Sequence, residues 1–410
     1  PISFDEAFEK IASIGQNSKK NDTLVMTSGN YTNEELYMLQ RLARTGLHTN
    51  ALASFDYYKR GPAFFFDKND IVPFAELYGA SLFICAFDDD LQAAPQLAVQ
   101  QIISSCPDIP QFHLNKPDTL NITDYAAFFR ALNYYLIQNN LAKGIYVQGL
   151  GKNYTVYKTQ LLSEDFSALL AKNNLTISNI KNFITLVKGT KAPVFLIWER
   201  LLSSRAVIEL ENLCMLLDIQ AKPSSGFLCI KAELNSQGLY DMGIFPDICV
   251  GGRPFSKDAI QTMESFYKNP VCTTPIDIVE GIHTQSFHNC IILNNIGVQI
   301  PQEIMDFVAN CPFKILQTAY FDDAQELDFD LIMPANIPEE TTGSYTDSTR
   351  TPHNSKPFAK CDLPVCTLYQ LSAISKLCGL PTLDTIGSIF VEYISFFREG
   401  CQSETRHFFR

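Results

Sequence analysis

Short apolar runs alternate along this chain with amphipathic stretches of helical period, the pattern of parallel strands covered by helices. The run TLVMTSG (23–29) closes on a glycine turn. NEELYMLQRLART (33–45) follows with Leu36, Leu39, Gln40 and Ala43 near one helix face, so the two predict a strand–turn–helix unit. SLFICAF (81–87), the acidic turn DDD and the helix PQLAVQQIIS make a second unit, and a third contains the helix TDYAAFFRALNYYLIQNNLA (123–142). The aromatic positions of that helix recur at helical spacing, which reads as a core face rather than a cofactor box. Further strands are predicted at PVFLIW (193–198), CIILNNIG (290–297), FKILQTAYF (313–321) and FDLIMPA (329–335), and further helices over 204–218, 366–379 and 382–399. The expected class is α/β, with mostly parallel sheets covered by helices. Gly/Pro-containing stretches near 223–226 and 243–256 are the expected crossings between two lobes, and the polar 338–357 segment reads as a functional or lobe-bridging loop.

One loop carries candidate chemistry. In NSQGLYDMG (235–243), Gly238 and Gly243 let the backbone approach a ligand or another strand. Asn235, Gln237 and Asp241 could then orient a polar heterocycle or brace their own turn. Net charge sets limits on partners: at −12 and pI 5.0 over 410 residues the chain opposes phosphate backbones and anionic lipid, leaving a small anion in a local pocket. No apolar run approaches a membrane span, and PISFDEAFEKIASI is acidic and amphipathic rather than an export signal, so a cytoplasmic protein with no direct membrane span is expected.

The metal-ligand inventory is thin. The 12 cysteines lie singly, mostly inside apolar runs, as reduced buried thiols do. No Cys-x-x-Cys occurs; Cys361 and Cys366 flank Pro364 and are a weak metal candidate. His48, His113, His283, His288, His353 and His407 are isolated, and a metal pair from His283 and His288 is a minor reading beside ordinary loop histidines. The sequons at Asn30, Asn121, Asn153 and Asn174 read as chance in an Asn-rich chain, and no phosphate loop or serine-hydrolase motif is present.

NSQGLYDMG resembles the Asn-x-Gln-Gly-x-x-Asp-Met-Gly signature of the molybdopterin oxidoreductases, the family of formate dehydrogenases and of the large iron–sulfur subunit of NADH:quinone oxidoreductase. Other segments agree in order. ISFDEAFEKIASI resembles the family's Trp-Asp-Glu-Ala helix, and SGNYTNEELYMLQRLART its Ser-Gly strand–turn–helix. FDLIMPANIPEETTGSYTDSTR resembles its Ala-Asp-Val-x-Leu-Pro strand with the acidic, Gly-containing turn beyond. The resemblance covers about residues 1–380. It implies two Rossmann-like lobes, the central domains of that fold, without its N-terminal cluster domain and C-terminal barrel. One lobe would run over 1–49 and 241–390, the other over 50–240, with 391–410 as a tail. It also implies that Thr123, Asp124, Asn235, Gln237, Gly238, Asp241 and Met242 are the cofactor-binding positions if a pterin nucleotide is kept.

Departures from the family pattern fall on its chemistry. In the segment TNALASFDYYKRGP, Lys59 and Arg60 occupy the places of the metal-ligating Cys or selenocysteine and the catalytic His. An ammonium offers molybdenum no lone pair, and a guanidinium cannot serve as a general base. Ala86, Phe87, Asp88 and Asp89 replace a nucleotide-contacting Gly-x-Asn/Asp-Pro turn, HLNKPD a ribose and phosphate turn, and Trp198, Glu199 and Arg200 a Gly-Met-Gly. The expected protein is therefore a divergent subunit of a redox complex, non-catalytic on its own, with no cofactor, no metal ligand, and iron–sulfur or flavin subunits as partners. One alternative is an active molybdenum or tungsten enzyme of formate dehydrogenase type carrying molybdopterin guanine dinucleotide, with Lys59 and Arg60 as carboxylate clamps. Another is a stand-alone nucleotide-binding regulatory protein. The helix over 382–399, with Ile386, Ile389, Phe390, Tyr393, Ile394, Phe396 and Phe397, is expected, with the 338–357 loop, to contact a second chain that carries the redox centres, packing on its own domain being the alternative of about equal weight.

Overall fold

The structure, a computed structural model, describes residues 2–66, 70–87, 94–142, 151–220, 222–320 and 329–398. Its strands are β1 (Thr23–Thr27), β2 (Leu52–Ser54), β3 (Leu82–Ala86), β4 (Gln111–His113), β5 (Pro193–Trp198), β6 (Gly226–Ile230), β7 (Ile248–Cys249), β8 (Arg253–Pro254), β9 (Asn289–Leu293), β10 (Phe313–Thr318), β11 (Leu331–Pro334), β12 (Gly343–Thr346) and β13 (Pro352–Ser355). The first four long helices are α1 (Phe4–Asn17), α2 (Asn33–Arg41), α3 (Ala94–Ser105) and α4 (Tyr125–Gln138). Two compact units result. One comprises Pro1–Pro62, Glu233–Asp347 and Pro352–Gln402, and the other includes Ala63–Ala232 and Ser348–Thr351. The chain thus changes unit after Pro62 and Ala232, whereas the sequence placed the boundaries near 49 and 240.

In the first unit five parallel strands lie in the order β11-β10-β9-β1-β2. The interior strand β1 is buried at every position, which is why its sequence is continuously apolar instead of alternating. Val25 sits opposite Ile291 on one side and Leu52 on the other. Leu24, Met26, Ile292 and Leu316 point into a core with Phe287, Ile304, Phe307 and Val308. Helix α1 begins at a Ser3/Glu6 capping box and α2 at a Thr32/Glu35 box, each satisfying two donors at a helix start. Beyond Arg41, α2 passes into a π-helical turn, Leu42–Gly46.

The second unit holds four parallel strands in the order β4-β3-β5-β6. Phe83, Cys85, Val194, Leu196, Leu228 and Ile230 form a core with Val72, Leu77 and Val99. The aromatic face of α4 packs in the interior: Phe128 lies 5.4 Å from Phe183, and Phe129 lies 6.4 Å from Phe195, ring to ring. Both units are thus α/β, with parallel sheets covered by helices.

Three expectations need correction. NSQGLYDMG is not a loop: Ser236–Asp241 is a short helix with Asn235 at its N-cap position. The 338–357 segment is a 3-10 turn, Pro338–Glu340, followed by the antiparallel hairpin β12–β13. Strands β4 and β6 and the helices Gly151–Leu162, Phe166–Ala171 and Ile177–Gly189 lie where no element was expected. The C-terminal helix Ile386–Arg398 buries Ile389, Tyr393 and Phe396 in its own unit and leaves Phe390 44% and Val391 65% exposed. Asp88 and Asp89 lie outside the described residues.

Candidate functional site

Strand order in the first unit reverses between β1 and β9, and the crevice beyond their carboxyl ends is where such a sheet ordinarily receives a ligand. Its own side chains fill that crevice. The Gly29 N–H donates to Glu233 Oε2 at 2.7 Å, and Asn30 Nδ2 donates to Glu233 Oε1 at 3.1 Å. Asn295 Nδ2 donates to the Asn30 carbonyl at 3.0 Å, and the Ser28 N–H to the Leu293 carbonyl at 3.1 Å. A turn that opens a helix favours an anion, and Glu233 supplies one internally. The fit leaves no room at Gly29, where a Cβ would lie 2.7 Å from Glu233 Oε2.

The first turn of α2 is sequestered as well. Glu34 accepts from the Ser344 N–H at 2.8 Å, the Ser344 hydroxyl at 2.9 Å and the Tyr393 hydroxyl at 3.3 Å. Glu35 accepts from the Thr32 N–H at 2.9 Å and the Thr32 hydroxyl at 3.0 Å. Burial nevertheless raises the Glu35 carboxyl to about 7, against the lowering effect of those hydrogen bonds.

Asn235, Gln237, Gly238, Asp241 and Met242 come together on the short helix beside this turn. Asn235 is fully buried and fully engaged: Nδ2 donates to the Tyr31 carbonyl at 2.7 Å and to Asn33 Oδ1 at 3.1 Å, and Oδ1 accepts from the Thr346 N–H at 2.7 Å. Gln237 Nε2 donates to Asp241 Oδ1 at 3.2 Å, four residues on along the same helix. Gly238 is needed because a Cβ there would lie 2.2 Å from Asn235 Oδ1 and 2.3 Å from Asn33 Oδ1. Gly243 ends the segment with φ of +79°, and Met242 is buried. These residues join β12, α2 and the β1 turn.

Lys59 and Arg60 lie beyond β2 in the same unit. Lys59 Nζ pairs with Glu303, and the Arg60 guanidinium lies 5.5 Å from the Tyr57 ring centre. Next to them Tyr57, Tyr58, Pro62, Phe245, Asp247 and Asp277 contribute to the walls of a cavity of about 250 Å³. Behind the 245–248 segment, fully buried Arg44 donates to the carbonyls of Phe245 at 2.6 Å and Ile248 at 2.9 Å, to Asn50 Oδ1 at 3.1 Å and to Gln40 Oε1 at 3.1 Å. Burial lowers its guanidinium to about 10, so it stays a cation at neutral pH.

Thr123 and Asp124 belong to the second unit. Asn173 Oδ1 accepts from both of their N–H groups, at 2.9 and 2.8 Å. Asp124 Oδ1 caps α4 by accepting from the Ala127 N–H at 2.9 Å, while Oδ2 lies 3.5 Å from Lys172 Nζ. In the same unit buried Glu199 pairs with Lys231 Nζ at 3.1 Å, Lys231 lies 4.1 Å from the Phe65 ring centre, and Arg200 lies 5.6 Å from that of Trp198. Among the described residues the buried Trp198 indole N–H has no acceptor.

Among the described residues no group of three or more His, Cys, Asp or Glu is arranged to hold a metal ion. His288 Nδ1 lies 2.6 Å from Asp22, and Cys366 is exposed. The residues that most define the site, Glu233 and Arg44, were absent from the sequence reading. Arg44 left a signal, a lone cation on the helix face with Gln40, whereas the partners of Glu233 lie 203 and 204 residues away.

No family model matches the chain. It is 24% identical over 393 residues to a protein of Staphylococcus aureus strain bovine RF122 and 23% identical to one of strain MRSA252, both provisionally named formate dehydrogenases. Each match takes in 85% of this chain, which spans 39% of the length of those relatives. Among solved structures, acetylene hydratase from Pelobacter acetylenicus superposes with a TM-score of 0.65 at 10% identity, over all of this chain and 63% of that one. A chain of the formyltransferase/hydrolase complex from Methylorubrum extorquens, solved with methylofuran, gives 0.54 at 12% identity, over 92% and 96% of the two chains. The fold is therefore shared with acetylene hydratase, and the sequence is distantly similar to proteins provisionally named formate dehydrogenases.

Proposed function

We propose that this chain is a non-catalytic subunit of a multi-protein complex, a molybdopterin oxidoreductase scaffold whose ligand positions are filled by its own side chains. The observation that carries the reading is Glu233 on the Gly29 N–H: the anion-binding turn of the first unit already holds a carboxylate. The donor set agrees. Lys59, at the place of the family's thiolate, is paired with Glu303, and Asn235 has no donor to spare for a pterin. The residues present do not fit a metal–pterin group, so no reaction step is assigned to one. Near-complete mutual coverage with a chain from a multi-subunit complex supports the subunit reading, with redox-active iron–sulfur or flavin centres carried by partner chains.

Purification of the native assembly from its source tests the proposal. The expected result is a mass well above 46.1 kDa, with co-purifying iron–sulfur or flavin subunits and no stoichiometric molybdenum or tungsten in this chain. About one such metal per chain, together with extractable pterin, would overturn it in favour of the active enzyme that the acetylene hydratase fold would accommodate. A solitary monomer would point instead to a stand-alone binding protein.

A further inference from the structure

A cavity lies beyond the carboxyl end of β2, lined by aromatic and acidic side chains. Ala53 of β2 lines it, as does the Tyr57–Tyr58 turn that follows, so it lies on the carboxyl side of the sheet's edge strand. Its walls are aromatic: the Tyr57 and Phe245 rings stand 5.9 Å apart, centre to centre. Among the described residues, the charged side chains lining it are two carboxylates, Asp247 and Asp277, both exposed. Asp277 spends one oxygen on capping the helix Ile278–His283, accepting from the Glu280 N–H at 3.0 Å.

The cations nearby are already engaged. Lys59 pairs with Glu303, Arg44 is saturated by two carbonyls and two amide oxygens behind the wall, and Arg60 lies against Tyr57. Exposed carboxylates in a cavity that aromatic rings also line attract a cation and repel a carboxylate, although Arg44 behind the wall also acts on Asp247. A cavity of about 250 Å³ has room for a small organic cation. We infer that this cavity binds a small alkyl- or arylammonium group, its charge between Asp247 and Asp277 and its apolar part against Tyr57, Tyr58 and Phe245. The inference is independent of membership in a complex.

Titration of the full chain with n-butylammonium, followed by calorimetry or saturation-transfer NMR, reads the site directly, with butyrate and 1-butanol as sign and shape controls. The expected result is saturable binding on the order of millimolar for the ammonium and about tenfold weaker binding for both controls. Asp247→Asn, an exposed change that should leave the fold intact, is expected to weaken ammonium binding about threefold or more, and Tyr58→Leu to weaken it comparably. Absence of saturable binding, controls that bind as well as the ammonium, or an Asp247→Asn variant with unchanged affinity would overturn the inference.

Discussion

Glu35 sits in two opposing environments. As the third residue of α2 it completes a capping box, which favours its ionised form; as a fully buried carboxyl it is driven toward the neutral form, and burial wins, moving it from 4.5 to about 7. A carboxyl raised on folding holds its proton in the native chain after the unfolded chain has released it. Its contribution is therefore fully present below about pH 4.5 and is lost as pH rises toward about 7. The loss is on the order of 3 kcal/mol. Glu35→Gln keeps an acceptor for the Thr32 N–H and removes the titration. Urea unfolding of the two proteins at pH 5, 6, 7 and 8 should show the parent losing stability relative to the variant across this window, with the gap constant above it. A gap that stays constant from pH 5 to 8 would show that Glu35 ionises normally in the folded chain.

The helix Ser236–Asp241 shows how little of this site a one-dimensional pattern can reveal. Its nine-residue segment carries two glycines and the polar side chains of Asn235, Gln237 and Asp241, which could face a ligand or brace their own turn, and the sequence left both possibilities open. What decides between them is distance along the chain: Asn33 and Thr346, which consume the hydrogen-bonding capacity of Asn235, lie 202 and 111 residues away. The buried strands were legible for the opposite reason. β1, β3, β5 and β9 are apolar on both faces because helices cover both, so composition alone marks them. The helices between Gly151 and Gly189 were missed because their exposed, Asn- and Lys-rich faces dilute the apolar stripe. Packing at Gly238 predicts that Gly238→Ala displaces the Asn33 and Asn235 amides and costs about 2–4 kcal/mol. Gly189, at the end of its helix, has open space where a Cβ would stand, so Gly189→Ala should change stability by no more than about 0.5 kcal/mol. Chemical denaturation of both variants distinguishes a packing requirement from a general intolerance of alanine.

At the scale of the whole molecule, most of the second unit is one contiguous segment, Ala63–Ala232, to which the chain returns briefly at Ser348–Thr351, whereas the first is assembled from longer separated pieces. The contiguous segment contains all four strands of its sheet, the aromatic interior against α4, and the buried cluster in which Glu209 meets Arg130, Arg205, Asn133 and Tyr157. Every partner in that cluster lies between 130 and 209, so excision leaves it paired, and an unpaired Glu209 would be costly. A fragment of about 170 residues also buries enough surface to be stable alone. We expect residues 63–232, expressed by themselves, to unfold cooperatively on heating, with near-ultraviolet circular dichroism from the buried Phe and Tyr cluster lost in the same transition as the helical signal. The complementary fragment 1–62, which carries β1 and β2 without β9, β10 and β11, should stay unfolded, because two strands cannot bury the apolar faces of a five-stranded parallel sheet. If 63–232 instead shows helical signal with no near-ultraviolet bands and no cooperative transition, the segment is not an autonomous domain, and the boundaries at Pro62 and Ala232 do not mark a folding unit.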